Sequence, residues 1–285
     1  MNIIKKKLLT ISSFSLVACM ATQPPIIKLE SNEIYEFDSN ASFALNVANM
    51  TRKTAGLSDV DLPEDAQFKS NGVLVGTEYA LSFLTGGLVD LAGSLGAQSE
   101  ADRAFNWKPM LVFLADIDEQ NVDASVVTTV ESELTKTFDN MDNANFLGLA
   151  RVAADHHDNN FILIFNGEMC DSADTPKIDY QKAKTAGNIL NLKPEYNNAC
   201  EIQVSVEATG KVNYNNNVKS VITTTLLSDY QFASPITIAT SGFAVVPQSF
   251  STWGSSTVYK VSAPFVAFED TMYFFTKQNS SMKIK

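Results

Sequence analysis

Any chemistry in this chain has to start from carboxylates, because few other reactive side chains are supplied. Its 285 residues include 32 acidic side chains but only two histidines. The two are neighbours, His156 and His157, within Asp155-His156-His157-Asp158. Imidazole and carboxylate are both metal ligands, which makes the pair a candidate metal site. Adjacent side chains diverge by about 100° on a helix and oppose each other on a strand, so a shared ion needs an irregular loop and ligands from elsewhere. The plainer expectation is a polar turn ahead of the apolar run 161–165, with no metal. Any histidine-based triad would have to draw on the same loop. Asp116-x-Asp118-x-Gln120 opens like a calcium loop, yet Asn121 stands where the turn glycine belongs and Val127 where the bidentate Glu belongs. The sequence holds no G-x-S-x-G elbow, P-loop or G-x-G-x-x-G. No carboxylate pair is singled out as catalytic and no cofactor is expected, so the reading leans away from an enzyme.

Charge is unevenly spread. Residues 116–142 hold eight acids against Lys136 alone, a local net of −7 in a chain of net −11. Asp116, Asp118, Glu119, Asp123, Glu131 and Glu133 are therefore a candidate acidic docking face for a basic partner, or a loose face for divalent cations. The alternative is a solvated helix face, with its first acids set at a helix N-terminus where the dipole favours them. The acidic balance and only three arginines (Arg52, Arg103 and Arg151) exclude the clustered cations that nucleic acid demands.

The elements that must position these groups indicate an α+β fold. A helical N-terminal region is expected, then a mainly antiparallel sheet with one long packed amphipathic helix and a β-rich C-terminal meander. With 45% hydrophobic and 19% charged residues the chain has ample core, enough for one large domain or two smaller ones divided near residue 105. Residues 34–37 read as a short strand. Residues 39–55 read as a helix capped by Ser39 or Asn40, with Phe43, Val47, Met50 and Thr54 on one face. The Gly-rich apolar segment 72–97 reads as a buried helix or helical hairpin, or else as an element that touches a membrane or a partner. Glu78 and Asp90 bracket only eleven uncharged residues, short of the ~20 needed to span a bilayer.

A buried strand is expected at 110–114. A long helix follows at 122–141, striped by Val122, Val126, Val130, Leu134, Phe138 and Met141. A second helix is expected at 145–155 through Phe146, Leu149 and Val152, a strand at 161–165, and a short helix around 179–190. Residues 201–207 alternate cleanly and pair with 218–227 across a turn at 209–217. Further strands are expected near 235–246 and 257–275, joined by the loop at Trp253-Gly254.

The front end carries an address. Lys5, Lys6 and Lys7 precede an uncharged apolar stretch, residues 8–18, that ends in Leu16-Val17-Ala18-Cys19. Eleven residues rise only about 16 Å as a helix, half a bilayer core, which fits a signal h-region better than a span. The four residues resemble the lipobox of bacterial lipoproteins. That resemblance implies cleavage after residue 18, a diacylated Cys19 thiol and an acylated Cys19 amino group. It also implies a lipid anchor and short tether over residues 19–33, ahead of a globular region 34–285. Met20, rather than Asp, follows the cysteine, which under the enterobacterial sorting rule favours the outer membrane over the inner. Losing three lysines and no acid moves the net charge from −11 to −14.

With Cys19 acylated, two of the three cysteines remain, an even pair in an oxidising compartment. Cys170 closes one predicted strand and Cys200 opens another, so antiparallel neighbours would bring them together as a disulfide. Two free thiols are the alternative. The first functional expectation is a non-enzymatic outer-membrane lipoprotein facing the periplasm, a structural or assembly component of an envelope complex such as a secretion, conjugation or surface-appendage apparatus. Its partners would be the membrane, through the lipid, and other envelope proteins. The second is a carboxylate-dependent glycan-acting enzyme or ligand-binding lipoprotein, with Trp107 or Trp253 as aromatic walls. The third is a surface-exposed adhesin or antigen.

Overall fold

The computed structural model describes residues 26–54, 57–62, 67–68, 74–75, 108–153, 159–171, 176–227, 230–246 and 264–284. Eleven of the described strands form one mostly antiparallel sheet. Its strands are β1 (Ile34–Glu36), β4 (Met110–Ala115), β5 (Asn145–Val152), β6 (Asn160–Asn166), β7 (Ile189–Leu190), β8 (Cys200–Tyr214), β9 (Asn217–Leu226), β10 (Phe243–Val246), β11 (Phe265–Phe268), β12 (Thr271–Phe274) and β13 (Ser281–Lys283). The spatial order is β13-β12-β11-β10-β4-β9-β8-β6-β5-β7, and β1 pairs parallel to β8 off that path. A separate ribbon joins β2 (Gln67–Phe68) to β3 (Leu74–Val75). The described helices are α1 (Phe43–Met50), α2 (Val122–Asp139), α3 (Tyr180–Ala186) and α4 (Tyr230–Ala239).

The unbroken apolar run of β4 follows from a sheet covered on both faces. Leu111 and Phe113 face one core with α2, while Met110 and Val112 face a second core with α1. Four residues of the α2 stripe, Val126, Val130, Leu134 and Phe138, are buried against the sheet. The Phe138 ring lies 5.6 Å from that of Phe165 on β6. A third, smaller core packs Ile162 and Ile164 of β6 under residues 178–199, through Ile178, Tyr196 and Ala199.

Several sequence expectations are corrected by these elements. Residues 145–152 form strand β5, not a helix. A bulge between Phe146 and Gly148 shifts the register, so Phe146 and Leu149 both reach the α2 core although they are three positions apart. A bulged strand thereby imitates helical spacing. Gly148 sits there at φ 154°, and a Cβ on it would lie 2.6 Å from the Tyr196 hydroxyl, so the position requires glycine.

The first helix is shorter than 39–55. Ser42 caps it, accepting from the Leu45 amide at 3.0 Å, while Asp38 and Asn40 form a turn ahead of it. Arg52 at φ 58° ends it. Residues 235–239, expected as strand, complete α4 despite Pro235, because burial of Ile236 and Thr237 outweighs local propensity. The Asn140 side-chain amide donates to the Ala239 carbonyl at the end of that helix.

The β8–β9 hairpin runs to a two-residue turn, Asn215-Asn216, with φ 52° and 62°. Positive φ at both positions suits the twist of a tight hairpin. The expected turn at 209–214 is therefore strand. Leu74 and Val75 are strand where a helical element was expected, and 76–97 lie outside the described residues. The expected helix around 179–190 stops at Ala186, and Ile189–Leu190 form β7. From β10 to β13 the tail is the expected meander. Among the described residues no helix is long and apolar enough to cross a membrane.

Candidate functional site

The first described residues form a strap against the body of the protein. Ile27 is fully buried in the α2 core, and its amide donates to Asp123 Oδ1 at 2.7 Å. Glu30 then donates its amide to the Ala208 carbonyl at 2.8 Å, and Arg52 holds the Glu33 carbonyl at 2.8 Å. Lys53 reaches Glu30 at 3.3 Å and also pairs with Glu207. Burial acts to lower the Lys53 pKa, but Glu207 and Glu30 outweigh it and leave the pKa raised.

Beside the strap lies a cleft of about 500 Å³. Its floor comes from β5 and β6, through Leu149, Arg151 and Phe161, and one wall comes from the first half of α2. Residues 190–196 close the other wall, and the exposed Ile26 stands at its edge. Four charges line it, Asp123 and Glu131 from α2, Arg151 from β5 and Lys193 from the opposite wall.

Asp123 is committed within this group. Besides the Ile27 amide it accepts from Arg151 at 2.7 Å, and the guanidinium lies 4.7 Å above the Phe161 ring. The Arg151 side chain is only 11% exposed, so removing Asp123 would leave a largely desolvated charge. Lys193 lies 5.4 Å from the Tyr196 ring centroid, and a side-chain hydrogen bond with Tyr196 raises its pKa.

Such a cleft offers paired charges and apolar wall to a bound group. It does not assemble a glycosidase pair. Asp123 already holds two donors, and Glu131 sits eight residues further along α2, about 12 Å in axial rise.

The acidic candidates have different partners. Asp116 pairs with Lys219 at 2.6 Å and Glu119 with Lys211 at 2.6 Å, both cations coming from the β8–β9 hairpin. Asp118 accepts from the Gln120 amide in its own turn. Asp123 and Glu131 line the cleft, while Glu133 pairs with Lys136 and accepts from the Ser241 hydroxyl at 2.7 Å. The local excess of −7 is thus partly balanced by cations distant in sequence.

His156 and His157, Cys19, Trp107 and Trp253 lie outside the described residues. Among the described residues no group of three His, Cys, Asp or Glu side chains could hold a metal ion.

Cys170 and Cys200 are bonded, with Cα atoms 5.8 Å apart. β6 and β8 are antiparallel neighbours in which Phe165 faces Cys200. Strand β6 itself ends at Asn166, and a 3₁₀ turn, Glu168–Cys170, carries the first cysteine back to the second. Both cysteines are buried.

Next to this bridge, Glu201 is half-buried, and burial raises its carboxyl pKa above the ordinary 4.5. Folding therefore disfavours its charged form. That cost is absent below pH 4.5, where the acid is protonated folded or unfolded, and grows as pH rises through the raised value. Glu201→Gln is expected to raise the urea midpoint at neutral pH and to leave it unchanged in acid. An equal change at both pH values would contradict the account.

Sequence reasoning missed the cleft, because five separate segments build it. It also missed a basic segment opposite the acidic helix, residues 176–193, with four lysines and one aspartate. That signal was visible in the charge order. Comparison with protein-family models, with curated proteins and with solved structures returned no match.

Proposed function

We propose that the mature chain is a lipid-anchored envelope protein, held by acylated Cys19 at the periplasmic face of the outer membrane, and that its globular part is a structural or assembly component of an envelope complex. The observation that carries this reading is the buried Cys170–Cys200 bridge. Such bonds persist where thiols are oxidised, and the N-terminal address would send the chain to that compartment. The strap adds support. Ile27 is fixed in the core only eight residues after Cys19, so a rigid body would be held within about 29 Å of the bilayer. Met20 after the cysteine favours the outer membrane over the inner. A glycan-acting enzyme gains no support from Asp123, which is tied to Arg151 and the strap.

Cell fractionation tests the anchor. The wild-type chain is expected in the membrane fraction, released by detergent and not by salt, because two or more acyl chains give stable attachment. Cys19→Ser is expected to leave the membrane fraction almost entirely. Wild-type protein released by salt alone would overturn the reading. Cross-linking in intact cells, followed by detergent extraction, should return a stoichiometric envelope partner, and its absence would count against the assembly role.

A further inference from the structure

We propose that residues 176–193 form a membrane-facing surface that rests on anionic phospholipid headgroups beside the lipid anchor. The inference depends on the anchored reading above and adds to it an orientation and a lipid chemistry.

Its first ground is charge. Lys177, Lys182, Lys184 and Lys193 stand against Asp179 alone, a local net of +3 in a chain of net −11. All four lysines are exposed. Elsewhere Lys53, Lys136, Lys211, Lys219 and Lys277 are each taken up by a carboxylate. Among the described residues none of the four has a carboxylate within ion-pairing distance. Internal neutralisation thus covers Lys211 and Lys219 of the β8–β9 hairpin and Lys136 of α2, whereas this segment keeps four exposed lysines together.

The second ground is position. Strand β7 is the last strand on its side of the sheet, and α3 precedes it directly. Leu190 of β7 and Lys193 line the same cleft as Ile26, where the chain enters from the anchor. From Cys19 to Ile26 is seven residues, at most about 25 Å even if fully extended. The tether therefore holds this edge near the bilayer, together with the start of α2, whose Asp123 and Glu131 line the same cleft.

The third ground is rigidity. The Cys170–Cys200 bridge closes the base of the segment. Ile178 donates to the Ala199 carbonyl at 2.8 Å and Glu201 to the Pro176 carbonyl at 3.2 Å. Ile178 and Tyr196 are buried beneath it. The lysines are thus carried on a fixed platform. Juxtamembrane lysines act over about a Debye length, a range that the short tether brings within reach.

The test uses the full chain, purified in detergent and reconstituted into vesicles containing phosphatidylglycerol or into vesicles of phosphatidylcholine alone. A membrane-impermeant amine reagent labels exposed lysines, and peptide mass spectrometry reads each site together with the acylation of Cys19. Lys177, Lys182, Lys184 and Lys193 are expected to label about fivefold more slowly on the anionic vesicles. Lys136 and Lys277 should label equally on both. The protection should vanish in about 1 M salt, where the Debye length is about 3 Å. Acylated protein whose four lysines label equally on both vesicles would overturn the proposal and leave the anchor standing. Protection that is equal on both and insensitive to salt would assign the face to protein contact and overturn it too. A Cys19 peptide without acyl chains would remove both the anchor and this surface.

Discussion

Replacing Cys170 and Cys200 together by alanine is expected to lower stability by about 3–4 kcal/mol, the chain-entropy value for closing a loop of this length. The bridge spans a sequence separation of 30 residues, so its main effect is to restrict the unfolded chain. The folded base of the segment keeps its backbone bonds without it, from Ile178 to Ala199 and from Glu201 to Pro176. The variant should therefore fold with the same spectrum and unfold at a lower urea concentration. Full reduction of the wild type should give the same midpoint as the variant. A midpoint unchanged by either treatment would show that the bridge does not contribute as described. The double replacement is preferable to a single one, which leaves a reactive thiol able to form wrong pairs.

Leu134→Ala is expected to cost about 2–5 kcal/mol, the range for deleting a buried leucine side chain and leaving a partly collapsed cavity. Leu134 is fully buried midway along the α2 stripe, between Val130 and Phe138. The stripe meets the sheet through residues of β4, β6 and β8 such as Leu111, Leu163 and Ile202, so a void there lies at the centre of the larger core. Thr135→Ala, one residue on, supplies the control. Thr135 is exposed and its hydroxyl bonds only to the Glu131 carbonyl of its own helix. Its loss should stay within about 0.5 kcal/mol. Equal losses for the two variants, read by urea denaturation, would contradict the packing of α2.

Elements governed by one dominant period were legible in the sequence. The four-residue repeat of α2 and the alternation of β8 each report a single buried face. The misread elements carry two signals at once. In β5 the bulge at Gly148 puts residues three apart on one face, a spacing that reads as helical. In α4 the β-branched Ile236, Thr237 and Ile238 beside Pro235 suggest a strand, and only tertiary burial makes the segment helical.

The disulfide was legible because it needed only two strand ends and an antiparallel register. The cleft was not, since Ile26, Asp123, Arg151 and Lys193 come together only in the fold. The partners of the acidic segment were not legible for a related reason. Local charge counting cannot see that Asp116 meets a lysine 103 residues away, nor that Arg151 turns back to Asp123. The same pairing sets apart the lysines of residues 176–193, whose clustering was visible in the charge order but whose lack of carboxylate partners among the described residues was not.

Lipid attachment at Cys19, on which the proposed anchoring rests, is read from the mass of the mature N-terminal peptide. The chain isolated from membranes is expected to begin at Cys19, to lack residues 1–18, and to carry a diacylglyceryl group on the thiol and a further acyl chain on the amino group. A mature chain that begins elsewhere, or whose Cys19 is unmodified, would contradict it.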